Sequence, residues 1–71
     1  MHNKPQEEEL QKYKTKIKQE IKQILEENMR IFDMDIPEND DKKSAILIYT
    51  AMQESMEELK LQIDAGKYDF F

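Results

Sequence analysis

The 71-residue sequence predicts an all-α fold: an antiparallel two-helix hairpin with an aromatic C-terminal tail. Three observations lead there. Apolar residues recur at steps of three and four along two long segments, which is the spacing of a helix face and not of a strand. Between the segments lies an acidic stretch broken by Pro37, and the one glycine, Gly66, follows the second segment. No internal repeat, low-complexity linker or shift of composition divides the chain, so residues 1–71 read as one unit.

Residues 1–6 read as a frayed start, with Pro5 where a helix can begin just after it. Glu7, Glu8 and Glu9 then suit a first turn, because the helix dipole favours negative charge there. The stripe that follows is Leu10, Tyr13, Ile17, Ile21, Ile24, Leu25, Met29 and Phe32, with Asn28 on the same line. It keeps to the 3.6-residue period and predicts a first helix over about 7–32. Pro37 disfavours a helical Ile36, and Asn39, Asp40 and Asp41 are all suited to cap a second helix.

That second helix is expected over about 40–65, on a line of Ala45, Tyr49, Met52, Met56, Leu59 and Ile63. Steps of four and three repeat along it like the a and d positions of a heptad. Ile46, Leu47 and Ile48 make its first half apolar around much of the circumference, so it needs cover on more than one side. Gly66 is the expected residue just past the helix stop.

Two thin helices touch along one line and leave their flanks wet. Ile24, Leu25, Met29 and Ile31 on one, with Ile46, Leu47 and Ile48 on the other, exceed what that line can hide. A chain this short builds only a marginal core, and without cysteine it has no disulfide or thiolate metal site to supplement it. Association is the remaining route. The expectation is a homodimer closed into a four-helix bundle, the alternative being a monomer in which Met34, Ile36 and the tail cover the patch.

Sixteen acidic against eleven basic residues, net −5, disfavour general binding to nucleic-acid backbones. The start of the chain carries no apolar run of a secretory signal, and the longest apolar stretch, residues 45–49, is too short to span a membrane. A cytoplasmic protein without membrane contact is expected. Ten lysines to one arginine, among many Ile, Asn and Glu, is the usage of an AT-rich genome, as in a bacterium or its phage.

No catalytic set is visible. His2 is the single histidine, cysteine is absent, and a hairpin has little room for the dry pocket that separates two carboxyl pKa values. No enzyme and no cofactor are expected. The run Asp33, Asp35, Asn39, Asp40 and Asp41 invites a calcium loop, but the sixth position is Glu38 instead of Gly and the twelfth is Ser44 instead of Glu. It reads as a solvated acidic loop.

Lys12, Lys14, Lys16, Lys18 and Lys22 against Glu20 give residues 10–23 a net +4. They are the residues of an alternative reading, a dimer that binds nucleic acid. They spread around the helix, however, without Arg to read base edges or exposed aromatics to stack. Residues 24–41 carry seven acids against Arg30, net −6. A positive pole beside a negative one can also set the orientation of helices in an oligomer.

The tail, Lys67-Tyr68-Asp69-Phe70-Phe71, has two readings. Its rings cover the open end of the hairpin near Leu10 and Tyr13, or they anchor in a pocket of a partner. The five residues resemble the motif that docks on bacterial sliding clamps, with Lys67 where that motif prefers Gln. The acid before the terminal Phe is similar to the tails of single-stranded-DNA-binding proteins. A likeness to the two-helix sporulation phosphatases fails, because Ser55 is followed by Met-Glu-Glu-Leu and Lys60, not by Gln-Glu-Leu-Asp.

The function expected is that of a small non-enzymatic protein-interaction module, a regulator, inhibitor or antitoxin-like partner that acts by steric binding. Its expected interface is Ile24, Leu25, Ile31, Ile46, Leu47, Ile48, Met52 and Met56, with Tyr68, Phe70 and Phe71 of the tail. A second alternative is a structural subunit that assembles only with itself.

Overall fold

The computed structural model describes residues 4–71, and His2 lies outside them. Two helices, α1 (Lys4–Asp35) and α2 (Asp41–Asp64), form the hairpin, with no strand among the described residues. α1 starts three residues ahead of the expected end. Pro5 sits in its first turn, where a missing N–H and a fixed φ are tolerated. It also runs on to Asp35, since Pro37 constrains only Ile36, whose N–H still reaches the Phe32 carbonyl at 2.9 Å. The connection shrinks to residues 36–40.

Asp40 proves to be the cap of α2. Its backbone is extended, and its carboxylate accepts from the N–H groups of Lys42 and Lys43 at 3.1 and 3.2 Å. Two of the four donors left unpaired at a helix start are thereby satisfied. At the other end Gly66 adopts φ +87°. Its N–H reaches the Ile63 carbonyl and that of Lys67 the Gln62 carbonyl, both at 3.0 Å. This pair of bonds is a Schellman stop, which the lack of a Cβ at Gly66 makes cheap.

The helices bury their surfaces mainly at the closed end. Ile48, 7% exposed, is the one buried large apolar side chain among the described residues, with Leu25, Met29, Phe32, Ala45 and Met52 half-buried. The face α2 turns inward is therefore Ser44, Ala45, Ile48 and Met52, and Tyr49 of the expected line is exposed. The small Ser44 and Ala45 allow close approach of the helices, and the phenol of Tyr49 stays in water. Ile48, expected in the outer patch, is thus taken into the hairpin's own core.

Beyond that end the apolar residues stay open: Leu10, Tyr13, Ile17 and Ile21 on α1, and Met56, Leu59 and Ile63 on α2, are all exposed. The molecule measures 53 × 27 × 17 Å with a radius of gyration of 16.3 Å, against about 11 Å for a compact chain of this length. No described helix is long and apolar enough to cross a membrane.

The tail does not cover the open end. Phe70 and Phe71 are 99% and 102% exposed. Residues past Gly66 wind on in short turns, with the Asp69 N–H on the Gly66 carbonyl at 3.2 Å and the Phe71 N–H on that of Tyr68 at 3.3 Å. Tyr68 donates its hydroxyl to Gln62 at 3.4 Å, and its ring lies 5.8 Å from that of Phe71.

Candidate protein-interaction site

A cleft of about 860 Å³ opens between the helices. Ile21, Ile24, Leu25 and Phe32 line it from α1, and Leu47, Ile48, Met52, Met56 and Leu59 from α2. Asn28, Tyr49 and Ala51 also line it, and Lys18, Lys22, Gln53 and Ser55 add polar groups. The walls are apolar because both helices turn the richest part of their stripes this way. Such a concave, mostly apolar surface with a few polar groups at its edge suits an apolar side chain or helix of a partner.

At the closed end one side chain joins the two helices. Asn39 donates its amide to Asp33 at 2.7 Å and to Asp41 at 3.3 Å, and its carbonyl oxygen accepts the Ser44 hydroxyl at 2.6 Å. It thereby ties the last turn of α1 to the first turn of α2. Ser44, only 3% exposed, has its polar atom satisfied in this way. The last turn of α1 holds no base to complement the helix dipole, and the Asn39 amide gives Asp33 the donor it lacks.

Two carboxylates share this amide, and their acidities separate. The Asn39 bond, with a further one to Asp41, holds Asp33 below the ordinary carboxylate range. Asp41 is pushed up, first by its hydrogen bond with Asp33 and then by that group's charge, with burial and Asp40 adding to it. Glu38, between them in sequence, takes φ +55°, a conformation that non-glycine residues seldom adopt.

Of the expected interface residues, the cleft gathers Ile24, Leu25, Leu47, Ile48, Met52 and Met56. Ile31 and Ile46 are exposed outside it, and Tyr68, Phe70 and Phe71 form a separate aromatic group past the helix stop. Ile21, Phe32 and Leu59 belong to the cleft without having been expected there. Their signal was in the helical stripes, which assigned them to a closed seam. Among the lysines of the alternative reading, Lys12 pairs with Glu9 at 3.1 Å, Lys16 with Glu20 at 2.8 Å and Lys22 with Glu26 at 3.9 Å. Lys18 borders the cleft, and Lys14 belongs to the same exposed helix.

The fold and the cleft define a helical hairpin with an open apolar seam. Compared with known proteins, the chain matches no family model, no curated protein and no solved structure.

Proposed function

We propose that this chain is a non-enzymatic protein-interaction module that binds a partner protein along its open seam and acts by occupying that surface. Two copies closing into a four-helix bundle give it a fuller core. The observation that carries this reading is the imbalance at the seam: Ile48, 7% exposed, is the one buried large apolar side chain among the described residues, while Ile21, Leu47, Met56 and Leu59 along the cleft stay exposed. A contiguous apolar surface of that kind is the mark of an interface. The own-helix ion pairs of Lys12, Lys16 and Lys22 give a basic face partly neutralised by its own glutamates, which weighs against the nucleic-acid alternative.

The test compares the wild-type chain with Leu47→Glu, a change at an exposed cleft position that leaves the buried contact alone. Light scattering reads the mass, capture from cells of the source organism reads the partners, and labelled duplex DNA is titrated at several salt concentrations. The expected result is a specific set of captured proteins lost in Leu47→Glu, with no DNA binding at physiological ionic strength. Tight DNA binding with a steep negative salt slope would replace this reading with the nucleic-acid one.

A further inference from the structure

We propose that a second copy of the chain covers the flank of α1, lying antiparallel along Leu10, Ile17, Ile24 and Ile31, so that the two acidic closed ends point away from each other. This rests on the bundle reading above and specifies its seam and orientation. The four residues recur every seventh position and are 43–51% exposed. At 3.6 residues per turn they sit about 90° around α1 from the half-buried Leu25, Met29 and Phe32 that face α2. They form a second apolar line that α2 does not cover and that meets the cleft only at Ile24. Within the wider stripe, which keeps to the 3.6-residue period, this one line recurs every seven residues, drifts about 20° per heptad on a straight helix, and meets a neighbour along its length when the two helices supercoil left-handedly.

Area favours a full-length partner over a single anchoring side chain. The chain exposes 6767 Å², about 2,000 Å² more than a compact chain of its mass. An interface of standard size takes about 800 Å² from each partner. That excess is large enough for such an interface and for the open cleft besides.

Symmetry and charge single out the same chain in one orientation. Reversing the line places Leu10 on Ile31 and Ile17 on Ile24, so two identical helices match apolar residue to apolar residue about a two-fold axis between positions 20 and 21. In that register residues 10–17, with Lys12, Lys14 and Lys16, face residues 24–31, with Glu26, Glu27 and Arg30. A charge of +3 then meets −1, twice. A parallel arrangement would set +3 on +3 and bring the two −6 segments of residues 24–41 side by side, a repulsive pairing.

The chain has no cysteine, so single introduced thiols report the geometry through a short bis-maleimide cross-linker. Glu20→Cys lies beside the proposed axis. Met34→Cys lies about 40 Å from its counterpart at 1.5 Å per residue, and close to position 7 of the other copy. Expected are a mass of two chains by light scattering, cross-linked dimer from Glu20→Cys, none from Met34→Cys alone, and cross-linking restored when Met34→Cys is mixed with Glu7→Cys. Linked dimer from Met34→Cys alone would overturn the antiparallel orientation. A mass of two chains with Glu20→Cys unlinked would overturn the α1 seam and leave the bundle standing. A mass of one chain would overturn both.

Discussion

Asn39→Ala removes three hydrogen bonds at once, those to Asp33, Asp41 and Ser44. The two to carboxylates are solvent-exposed, where water replaces them readily, and they add little. The third matters more. Ser44 is 3% exposed, and its hydroxyl donates to Asn39. Leaving a buried hydroxyl unpaired costs about 1–3 kcal/mol. A total near 2 kcal/mol lowers the melting temperature of a chain this size by roughly 8–16 °C. Ser44→Ala removes the hydroxyl itself, so its cost is smaller, and Asn39→Ala adds less in that background than in the wild type. The double-mutant cycle, read by thermal circular dichroism at one fixed protein concentration, is expected to give a coupling of about 1 kcal/mol. Additive changes, or an Asn39→Ala melting point within about 2 °C of the wild type, would refute the clamp.

Asp40→Ala loses both cap bonds to Lys42 and Lys43, and a loss of about 1 kcal/mol is expected in the same melts. Gly66→Ala forces a Cβ into φ +87°, 2.9 Å from the mobile end of Asp69; the strain costs about 1 kcal/mol, and chemical shifts past residue 64 should lose their Schellman signature. Replacing Phe70 and Phe71 by Ser should leave the melting point unchanged, because both rings stand free in water; a drop of several degrees would restore the covering role. In a carboxyl NMR titration Asp41 should protonate at higher pH than Asp33, and Asp33→Asn should lower the Asp41 midpoint. The signs for stability oppose: Asp33, with its depressed folded value, stabilises above the ordinary carboxylate pKa and loses this as pH falls through the folded value. Asp41, raised, is penalised when ionised and relieved as pH falls through its own raised value.

The helices, their break at Pro37, the cap among Asn39–Asp41 and the stop at Gly66 were legible in the sequence because each depends on residues within one turn of each other. The inward face of α2 was not. Ser44 is polar, so a hydrophobic pattern passes over it; its burial depends on a bond to Asn39, five residues back and outside the helix. The stripe of α1 was seen but not divided. Its apolar residues span a wide arc, and either Leu25, Met29 and Phe32 or Leu10, Ile17 and Ile24 could have faced α2 on periodicity alone. Met52 and Met56 read as one seam, yet only Met52 is half-buried, because the buried contact fades between them. The tail's two readings differ only in long-range contact, which five residues cannot encode by themselves.

Polar and apolar contacts are distributed so that the two ends of the hairpin have different duties. The Asn39 clamp, the Asp40 cap, the buried Ser44 and the Ile48 core all fall within nine residues of one another, at the closed end. Nothing comparable ties Ile17 or Ile21 to Leu59 or Ile63, which are exposed. Met56, unbranched and adaptable, lines that part of the cleft. Substitutions on the two sides of this division therefore differ in kind. Changes at Asn39, Ser44 or Ile48 weaken the closed end, where the buried contacts between α1 and α2 lie, and lower stability. If the cleft binds a partner as proposed, exposed Ile21, Met56 and Leu59 are the positions where substitution should change binding while leaving helicity by circular dichroism intact.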